Sequence, residues 1–224
     1  MGQIFELMDL QYCYAGLDLA ATNDFNAASF LFPPTYGQSK PLLTRFFWIP
    51  EAKAEQRIKN NPSFNKWADE GYLEITPGNV TDYEYIRAKF NKVRDRGIDI
   101  KAVAFDKPYS YSLIPGLMAD GFRCETFSPS LMSIGPMVKE LEKMFFSGEL
   151  IHDGNPVSRW MYGNVELYMG PNDLYRPTKN AKKPEAKIDG VMADIFAVGQ
   201  WKAEDSKPKA GSYLFEEGAK LLTI

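Results

Sequence analysis

The fold is decided by the stretch Tyr12-Cys13-Tyr14-Ala15-Gly16-Leu17-Asp18-Leu19, a run of β-forming and small apolar residues that carries one acid. This composition predicts a β-strand, and the polar residues 20–24 that follow it predict a turn. Two more apolar runs, Phe25 to Phe32 and Leu42 to Ile49, come next in the chain. Three strand-forming runs in succession indicate an antiparallel meander at the start of the domain.

The middle of the chain alternates between helical and strand patterns. Residues 81–96 carry apolar side chains at helical spacing, with Thr81 as the predicted N-cap. Residues 100–105 are nearly all apolar, which is typical of a parallel strand covered on both faces, and Asp106 follows directly. This alternation predicts right-handed crossovers. We therefore expect an α/β fold, in which a mixed sheet of three meander strands and parallel crossover strands carries helices on both faces.

The last part of the chain predicts a long helix after a basic segment. Residues 156–169 predict one helix, and residues 170–187 predict an irregular connection. A further helix begins near Asp189 and ends near Lys202, and its apolar residues recur at a period of about 3.6. That predicted buried face comprises Ile188, Val191, Met192, Ile195, Val198 and Gly199. We expect one domain over residues 1–203, followed by a polar linker and tail over residues 204–224.

Composition and motifs argue against several classes of protein. The chain has 224 residues, of which 45% are hydrophobic and 25% are charged, and its formal net charge is −3. Any DNA contact would therefore need a local basic patch. His152 is the one histidine in the sequence, so a His-rich zinc site or a Ser-His-Asp triad is hard to build. The sequence has no P-loop motif, and no apolar run approaches the roughly 20 residues of a membrane span.

The cysteines and the chain start indicate the compartment and the context of the domain. Cys13 and Cys124 lie in apolar, strand-like runs. We expect both to be buried, reduced thiols, which fits a reducing cytoplasm. No secretory signal follows Met1. The short lead-in before the first strand suggests that another domain precedes this one.

Two of the predicted strands end in an acid. Asp18 closes the first strand, and Asp106 follows the first crossover strand. If these strands are neighbours, both carboxylates emerge at the edge of the sheet where open α/β folds place their sites. Asp189, in the first turn of the late helix, would complete a group of three. On the residues alone, the alternative that each acid is a turn or cap residue stays open.

Three converging carboxylates predict a site for divalent metal ions. Like charges at such a site repel one another unless cations compensate for them. Hard oxygen ligands suit Mg²⁺ or Mn²⁺. Two such ions about 3.5–4 Å apart can activate a water molecule and stabilise the leaving oxygen of a phosphodiester. The group of Asp18, Asp106 and Asp189 would then be both the metal-binding and the catalytic set.

Two further acids lie near this predicted set in the sequence. Asp194 is five residues after Asp189, which places it about 140° around the helix. We therefore do not expect Asp194 to share the same ion. Asp24 is expected to cap the turn after the first strand, and a contact with one of the metal-binding acids is the alternative.

One concentrated basic segment leads directly into the late helix. Its members are Arg176, Lys179, Lys182, Lys183 and Lys187. The plain interpretation is a solvated loop. The functional interpretation is a segment that holds DNA phosphates beside the cleavage site, with Lys187 as the residue that reaches the bound phosphate. The position of this segment directly before the late helix is compatible with either interpretation.

The sequence resembles the large terminase subunits of tailed bacteriophages, of the type found in HK97-like phages. The resemblance covers nearly the whole chain in order and spacing, so it is more specific than any single motif. The residues that carry it are 14–24, 47–50, 74–78 with Asp82 and Tyr83, 104–106, 152–157 with Trp160 and Met161, 187–190, and 212–213 with 216–218. Asp194 departs from the family, in which that position is usually apolar.

The resemblance implies a fold, an activity and a set of partners. It implies an RNase H-like nuclease domain that cuts concatemeric viral DNA at the start and end of genome packaging. The family's metal-binding acids lie on the first strand, the fourth strand and a late helix, and they match Asp18, Asp106 and Asp189. The implied partners are double-stranded DNA, an N-terminal ATPase domain, the small terminase subunit and the portal. The implied location is the cytoplasm of the bacterial host.

Two other functions remain as alternatives at this stage. One is another RNase H-like enzyme, such as a resolvase or a transposase, although the lack of a Glu at the third acid argues against a transposase. The other is a non-catalytic module that docks DNA or the portal, with the acids in structural roles.

Overall fold

The structure, a computed structural model, describes residues 11–20, 24–35, 37–108, 110–183 and 185–207. Its strands are β1 (Tyr12–Asp18), β2 (Asn26–Phe32), β3 (Leu42–Pro50), β4 (Glu74–Thr76), β5 (Asp99–Asp106), β6 (Cys124–Phe127), β7 (Ile151–His152), β8 (Val165–Met169) and β9 (Tyr175–Lys179). Its helices are α1 (Glu51–Asn60), α2 (Ser63–Asp69), α3 (Tyr83–Arg94), α4 (Leu113–Ala119), α5 (Leu131–Phe146), α6 (Pro156–Tyr162) and α7 (Asp189–Asp205). The predicted tail over residues 204–224 lies outside the described residues after Lys207.

The main sheet is mixed, as the sequence predicts. Strands β1, β2 and β3 form the antiparallel meander. Strand β5 runs parallel to β1, and β6 runs parallel to β5, so the crossover strands extend the sheet on the β1 side. Strands β4 and β7 each pair with β3 in parallel. The strand order is β4-β3-β2-β1-β5-β6, with β7 beside β3.

Helices cover both faces of this sheet, which confirms the second part of the fold prediction. On one face, α3 and α4 bury Ile86, Phe90 and Leu117 against alternate residues of β1, β2 and β5. On the other face, α5, α6 and α7 pack with α1 and α2 over the remaining strand residues. Alternation of side chains along each strand divides the apolar residues between these two cores.

Helix α7 is the central helix of the second core, and it is buried on nearly all sides. The predicted face is buried apart from the partly buried Met192, but burial extends beyond that face to Ala193, Asp194, Phe196 and Ala197. The reason is that α7 contacts β1, β2 and β5 on one side and α5 and α6 on the other. The approach to β1 is very close, since a Cβ built on Gly16 would lie 2.0 Å from the carbonyl oxygen of Ala193.

The region between α6 and α7 differs from the predicted single helix followed by an irregular segment. Helix α6 ends at Tyr162 with Gly163 as its C-cap, and β8 and β9 then form a separate antiparallel hairpin. The Val-Glu-Leu-Tyr-Met sequence of β8 is rich in β-forming residues. A helix continued through it would lose the pairing with β9 that the structure provides.

Two predicted helix ends also differ from the structure. Asp82 is the N-cap of α3, because its carboxylate accepts from the amide of Glu84 at 2.9 Å. Thr81, the predicted cap, instead accepts a hydrogen bond from the side-chain amide of Asn26 at 2.8 Å. Helix α7 extends to Asp205, past the predicted end near Lys202.

The cysteines are unpaired thiols in the described structure, as expected. Cys13 is buried in β1, as predicted, but Cys124 is only half-buried, because β6 is an edge strand of the sheet. Burial raises the pKa of Cys124 to about 11, so this thiol is protonated at neutral pH. Over the described ranges, no helix combines the length and the apolar character that crossing a membrane would require.

Candidate functional site

The three predicted acids lie at one edge of the sheet and at the adjacent end of α7. Strands β1 and β5 are parallel neighbours, and Leu17 pairs with Phe105. The next residues, Asp18 and Asp106, therefore leave the sheet at the same edge. Asp189 is the first residue of α7, which packs against both strands, and only 7% of its surface is exposed. The structure thus places two acids that end strands and one that begins a helix at the same edge of the sheet.

Burial and mutual repulsion make these carboxylates harder to ionise than free ones. Burial raises the pKa of Asp18 well above its ordinary value, and the negative charges of Asp189 and Asp106 raise it further. Burial also raises the pKa of Asp189, against the opposing charges of Lys179, Lys187 and Arg57. Burial likewise raises the pKa of Asp106. This electrostatic pattern is typical of a group of acids that a bound cation would neutralise.

The donor chemistry of the group fits a hard divalent cation. The Oδ2 atom of Asp189 is buried and accepts no hydrogen bond within the described part of the chain. A buried carboxylate oxygen without a partner is costly, and a cation is a partner that would compensate for it. Carboxylate oxygens are the ligands that Mg²⁺ and Mn²⁺ prefer.

The side chains of the three acids do not form a metal-binding arrangement in the described structure. Across residues 11–20, 24–35, 37–108, 110–183 and 185–207, no three His, Cys, Asp or Glu side chains form a group that could hold a metal ion as they stand. The main chain brings the three acids to one edge, where the charges of Asp106 and Asp189 act on Asp18.

The predicted basic residues divide into exposed ones and one that is largely buried. Arg176 and Lys179 are exposed on β9, and Lys182 and Lys183 are exposed in the connection to α7. The charge of Lys179 acts on both Asp18 and Asp189, so this end of β9 lies beside the acids. Lys187 differs from these residues, because its side chain is 12% exposed and forms an ion pair with Asp24.

Arg57 is a buried cation beside the acids that the sequence analysis did not identify. Its guanidinium bonds to the carbonyl of Glu185 at 2.8 Å, forms an ion pair with the Glu185 carboxylate at 2.8 Å and lies 3.7 Å from Asp24. It therefore joins the turn after β1 to the segment that leads into Asp189. An arginine in the polar helix α1 gives no signal of this role in the sequence, because its partners are distant along the chain.

Asp194 lies in a buried network of hydrogen bonds, away from solvent. It is completely buried, and its carboxylate accepts from Tyr162 at 2.8 Å and from the guanidinium of Arg45 at 2.9–3.1 Å. The hydroxyl of Ser29 donates to the same carboxylate. Arg45 also pairs with Asp153 at 3.2 Å on its other side. A buried arginine on β3 thus compensates the negative charge of Asp194.

Comparison with known proteins identifies the family of the chain. The sequence model of the family "Terminase large subunit, endonuclease domain" matches residues 5–205. The protein YmfN of Escherichia coli (strain K12) is 30% identical over 207 residues, which cover 87% of this chain and 44% of YmfN. The chain spans less than half of the length of the curated relatives that it matches.

Solved structures share the fold. The crystal structure of the large terminase of bacteriophage HK97 matches with a TM-score of 0.74 and 27% identity, over 85% of this chain and 39% of that chain. The large terminase nuclease of thermophilic phage G20c with bound magnesium matches with a TM-score of 0.53 and 12% identity, over 86% of this chain and 83% of that chain. These matches confirm the predicted RNase H-like mixed α/β fold.

Proposed function

The chain belongs to the family of terminase large subunit endonuclease domains, and from this membership we propose that it is a divalent-metal-dependent endodeoxyribonuclease that cuts concatemeric viral DNA during genome packaging. The observation that carries the proposal is the group of buried, mutually repelling acids at one edge of the sheet, with an unpartnered oxygen on Asp189. Its proposed partners are double-stranded DNA, an ATPase domain, the small terminase subunit and the portal. We place the reaction in the cytoplasm of the bacterial host.

Asp18, Asp106 and Asp189 are the proposed metal-binding and catalytic residues. Asp18 and Asp106 would hold one Mg²⁺ or Mn²⁺ ion, and Asp189 with a shared oxygen of Asp18 would hold a second. Such a pair of ions supplies an activated water molecule and stabilises the departing 3′ oxygen. The chain itself contributes a rigid frame, because β1, β5 and α7 fix the three main-chain positions. It also contributes a largely buried setting in which electrostatic interactions are stronger than in water.

The exposed basic residues beside the acids are the proposed DNA contacts. Arg176, Lys179, Lys182 and Lys183 present four cations along the route from β9 to α7. Lys187 belongs to the same segment, and contact with a phosphate would require it to leave Asp24. Phosphate contacts carry no sequence information, so we expect little base specificity.

Plasmid cleavage tests the proposed activity. We expect the native protein to nick or linearise supercoiled plasmid with Mg²⁺ or Mn²⁺, and to leave it intact when EDTA is in excess. Asp106→Ala should cut at least about a hundredfold more slowly, because metal catalysis supplies several kcal/mol and about 1.4 kcal/mol corresponds to a tenfold change in rate. Plasmid that stays intact with either ion would instead favour a non-catalytic docking module. A variant that cuts as fast as native protein would show that the site is wrong.

The salt dependence of DNA binding tests the basic segment. Each phosphate contact contributes about 0.9 to the slope of log K against log salt concentration on duplex DNA. We expect Arg176→Ala and Lys182→Ala each to weaken binding to a duplex of arbitrary sequence and to reduce that slope by up to about 0.9. Lys92→Ala is the matched control, because Lys92 is an exposed cation on α3, which packs on the opposite face of the sheet. Equal losses in all three variants would assign the effect to overall charge.

A further inference from the structure

Helix α7 begins at Asp189 without a side-chain cap. Its N-cap residue is Ile188, whose apolar side chain cannot accept from the free amides of the first turn. Farther along, the helix is held by its close packing on β1, where Gly16 lies against the main chain of Ala193. The position of the first turn therefore depends on the contacts of residues 185–188, which lead into it.

Arg57 of α1 is a buried cation that anchors this segment. Its side chain is 4% exposed, and its Nη1 atom donates to the carbonyl of Glu185 at 2.8 Å and contacts the Glu185 carboxylate at 2.8 Å. The other terminal nitrogen, Nη2, lies 3.7 Å from Asp24 in the turn after β1. The planar fork of a guanidinium suits two partners in different directions better than a single ammonium does. Arg57 thus ties the turn that follows Asp18 to the segment that precedes Asp189.

Repulsion between two of the acids acts on the start of α7. Burial raises the pKa of Asp18, and the charge of Asp189 raises it further, so the two carboxylates repel each other when both are ionised. Arg57 acts in the opposite sense, because burial raises the pKa of Asp189 and the guanidinium charge is one of those that lower it. Without the guanidinium and its contact with Glu185, this repulsion would act on a helix start that has no cap of its own.

We propose that Arg57 is a positioning residue of the metal site, which holds the start of α7 beside the turn after β1 and thereby fixes the spacing of Asp18 and Asp189 for the ion that they share. This inference rests on the proposed function, because the shared ion is part of it. Arg57 itself contacts no metal ion, and it acts through Glu185 and Asp24. Residues that orient metal ligands typically contribute about 10- to 100-fold in metal affinity.

Charge and position predict opposite effects of removing the guanidinium. If Arg57 acted only through its charge, Arg57→Ala would take a cation away from the acids, and Mn²⁺ would bind more tightly. Because Arg57 positions Asp189, the same change should instead raise the Kd of Mn²⁺ at least about tenfold. Arg57→Lys keeps the charge but loses the fork, so charge alone predicts the native Kd, whereas positioning predicts a Kd at least about threefold higher.

Calorimetric titration of Mn²⁺ into the full chain without DNA measures these constants. We expect the Kd to rise from native protein to Arg57→Lys and again to Arg57→Ala. Arg87→Lys is the matched control, because it makes the same substitution in a fork whose Nε and Nη2 atoms each lie 2.6 Å from the Asp120 carboxylate, on α3 at the opposite face of the sheet. Its Kd should equal that of native protein. Native affinity in Arg57→Lys, or tighter binding in Arg57→Ala, would overturn the positioning role.

Amide hydrogen exchange in the metal-free protein provides a second measurement. The amides of Val191 and Met192 donate to the carbonyl of Ile188 at 2.9 and 3.0 Å in the first turn of α7. We expect Arg57→Lys to accelerate exchange of these two amides at least about tenfold more than exchange of the β1 amides, because the loss of anchoring is local. Equal acceleration at both places, or none at either, would contradict a role at the start of α7.

The inference and the proposed function fail in different ways. Native protein that binds no Mn²⁺, or an Asp106→Ala variant that binds it as tightly as native protein, would overturn the proposed metal site and this inference with it. Binding of Mn²⁺ that is lost in Asp106→Ala but unchanged in Arg57→Ala would overturn the inference alone and leave the proposed nuclease activity standing.

Discussion

Replacing Asp18 with asparagine is expected to slow plasmid cleavage at least about a thousandfold while stabilising the metal-free protein. Asp18 is the acid whose carboxylate interacts with both other acids, and we propose that it shares its oxygens between two ions. Its loss should therefore cost more than the loss of Asp106, which we propose holds only one ion. About 4 kcal/mol of lost transition-state stabilisation corresponds to this factor.

The gain in stability follows from the direction of the pKa shift. Burial, with the charges of Asp189 and Asp106, raises the pKa of Asp18 in the folded protein above its ordinary value of 3.8. The folded protein therefore holds this proton more tightly than the unfolded chain does. Stability of the metal-free protein falls as the pH rises from the ordinary pKa through the raised one. Asparagine cannot ionise, so it removes this loss.

Thermal unfolding at several pH values measures the gain in stability of the metal-free variant and its loss of metal binding. Without metal at pH 7, the melting temperature of Asp18→Asn should exceed that of native protein by a few degrees, since about 1 kcal/mol shifts a domain of this size by about 2–4 °C. Saturating Mn²⁺ should raise the melting temperature of native protein and have much less effect on the variant. Lys92→Asn serves as an exposed control. An equal Mn²⁺ effect on native protein and on Asp18→Asn would show that this acid does not bind the ion.

Replacing Arg45 with alanine is expected to destabilise the domain by about 3–5 kcal/mol, the usual cost of breaking a buried ion pair. The Arg45 side chain is 3% exposed, and the Asp194 side chain that it contacts is not exposed at all. Removing Arg45 leaves both Asp194 and Asp153 buried without their cation. Hydrogen bonds from Tyr162 and Ser29 compensate only part of the charge on Asp194.

Urea denaturation compares the free energy of unfolding that Arg45→Ala loses with the loss on breaking an exposed ion pair. Lys66 lies 3.7 Å from Glu70 across one turn of α2, and the Lys66 side chain is 72% exposed. Lys66→Ala should cost no more than about 0.5 kcal/mol, because solvent screens such pairs. If Arg45→Ala cost no more than Lys66→Ala, the buried network would contribute nothing to stability.

Much of the frame of the site could be predicted from local patterns. The apolar runs that end at Asp18 and Asp106 each specify a strand, and the helices between later strands require parallel neighbours. Strand direction then places both acids at one edge, because parallel strands end on the same side of a sheet. The periodicity after Lys187 likewise specifies a helix that starts at Asp189.

The β8–β9 hairpin could not be predicted in the same way. Its first strand is five residues long and directly follows a helix, so its apolar residues fit either a continued helix or a strand. The choice depends on the partner strand, and β9 contains Pro177 among basic residues, a poor local signal for a strand. The exposed cations of β9 and their position beside the acids therefore became visible only in the folded chain.

The sequence by itself determined the mixed sheet, the edge at which Asp18 and Asp106 emerge, and the helix that carries Asp189, because each depends on hydrophobic period and strand direction. Only the tertiary structure decided the role of Asp194. Periodicity placed it on a different side of α7 from Asp189, but its partner Arg45 lies 149 residues earlier in the chain. Helix α7 is enclosed by the sheet and by other helices, so an acid on either side of it must find a buried cation. Which cation that is depends on how distant segments pack.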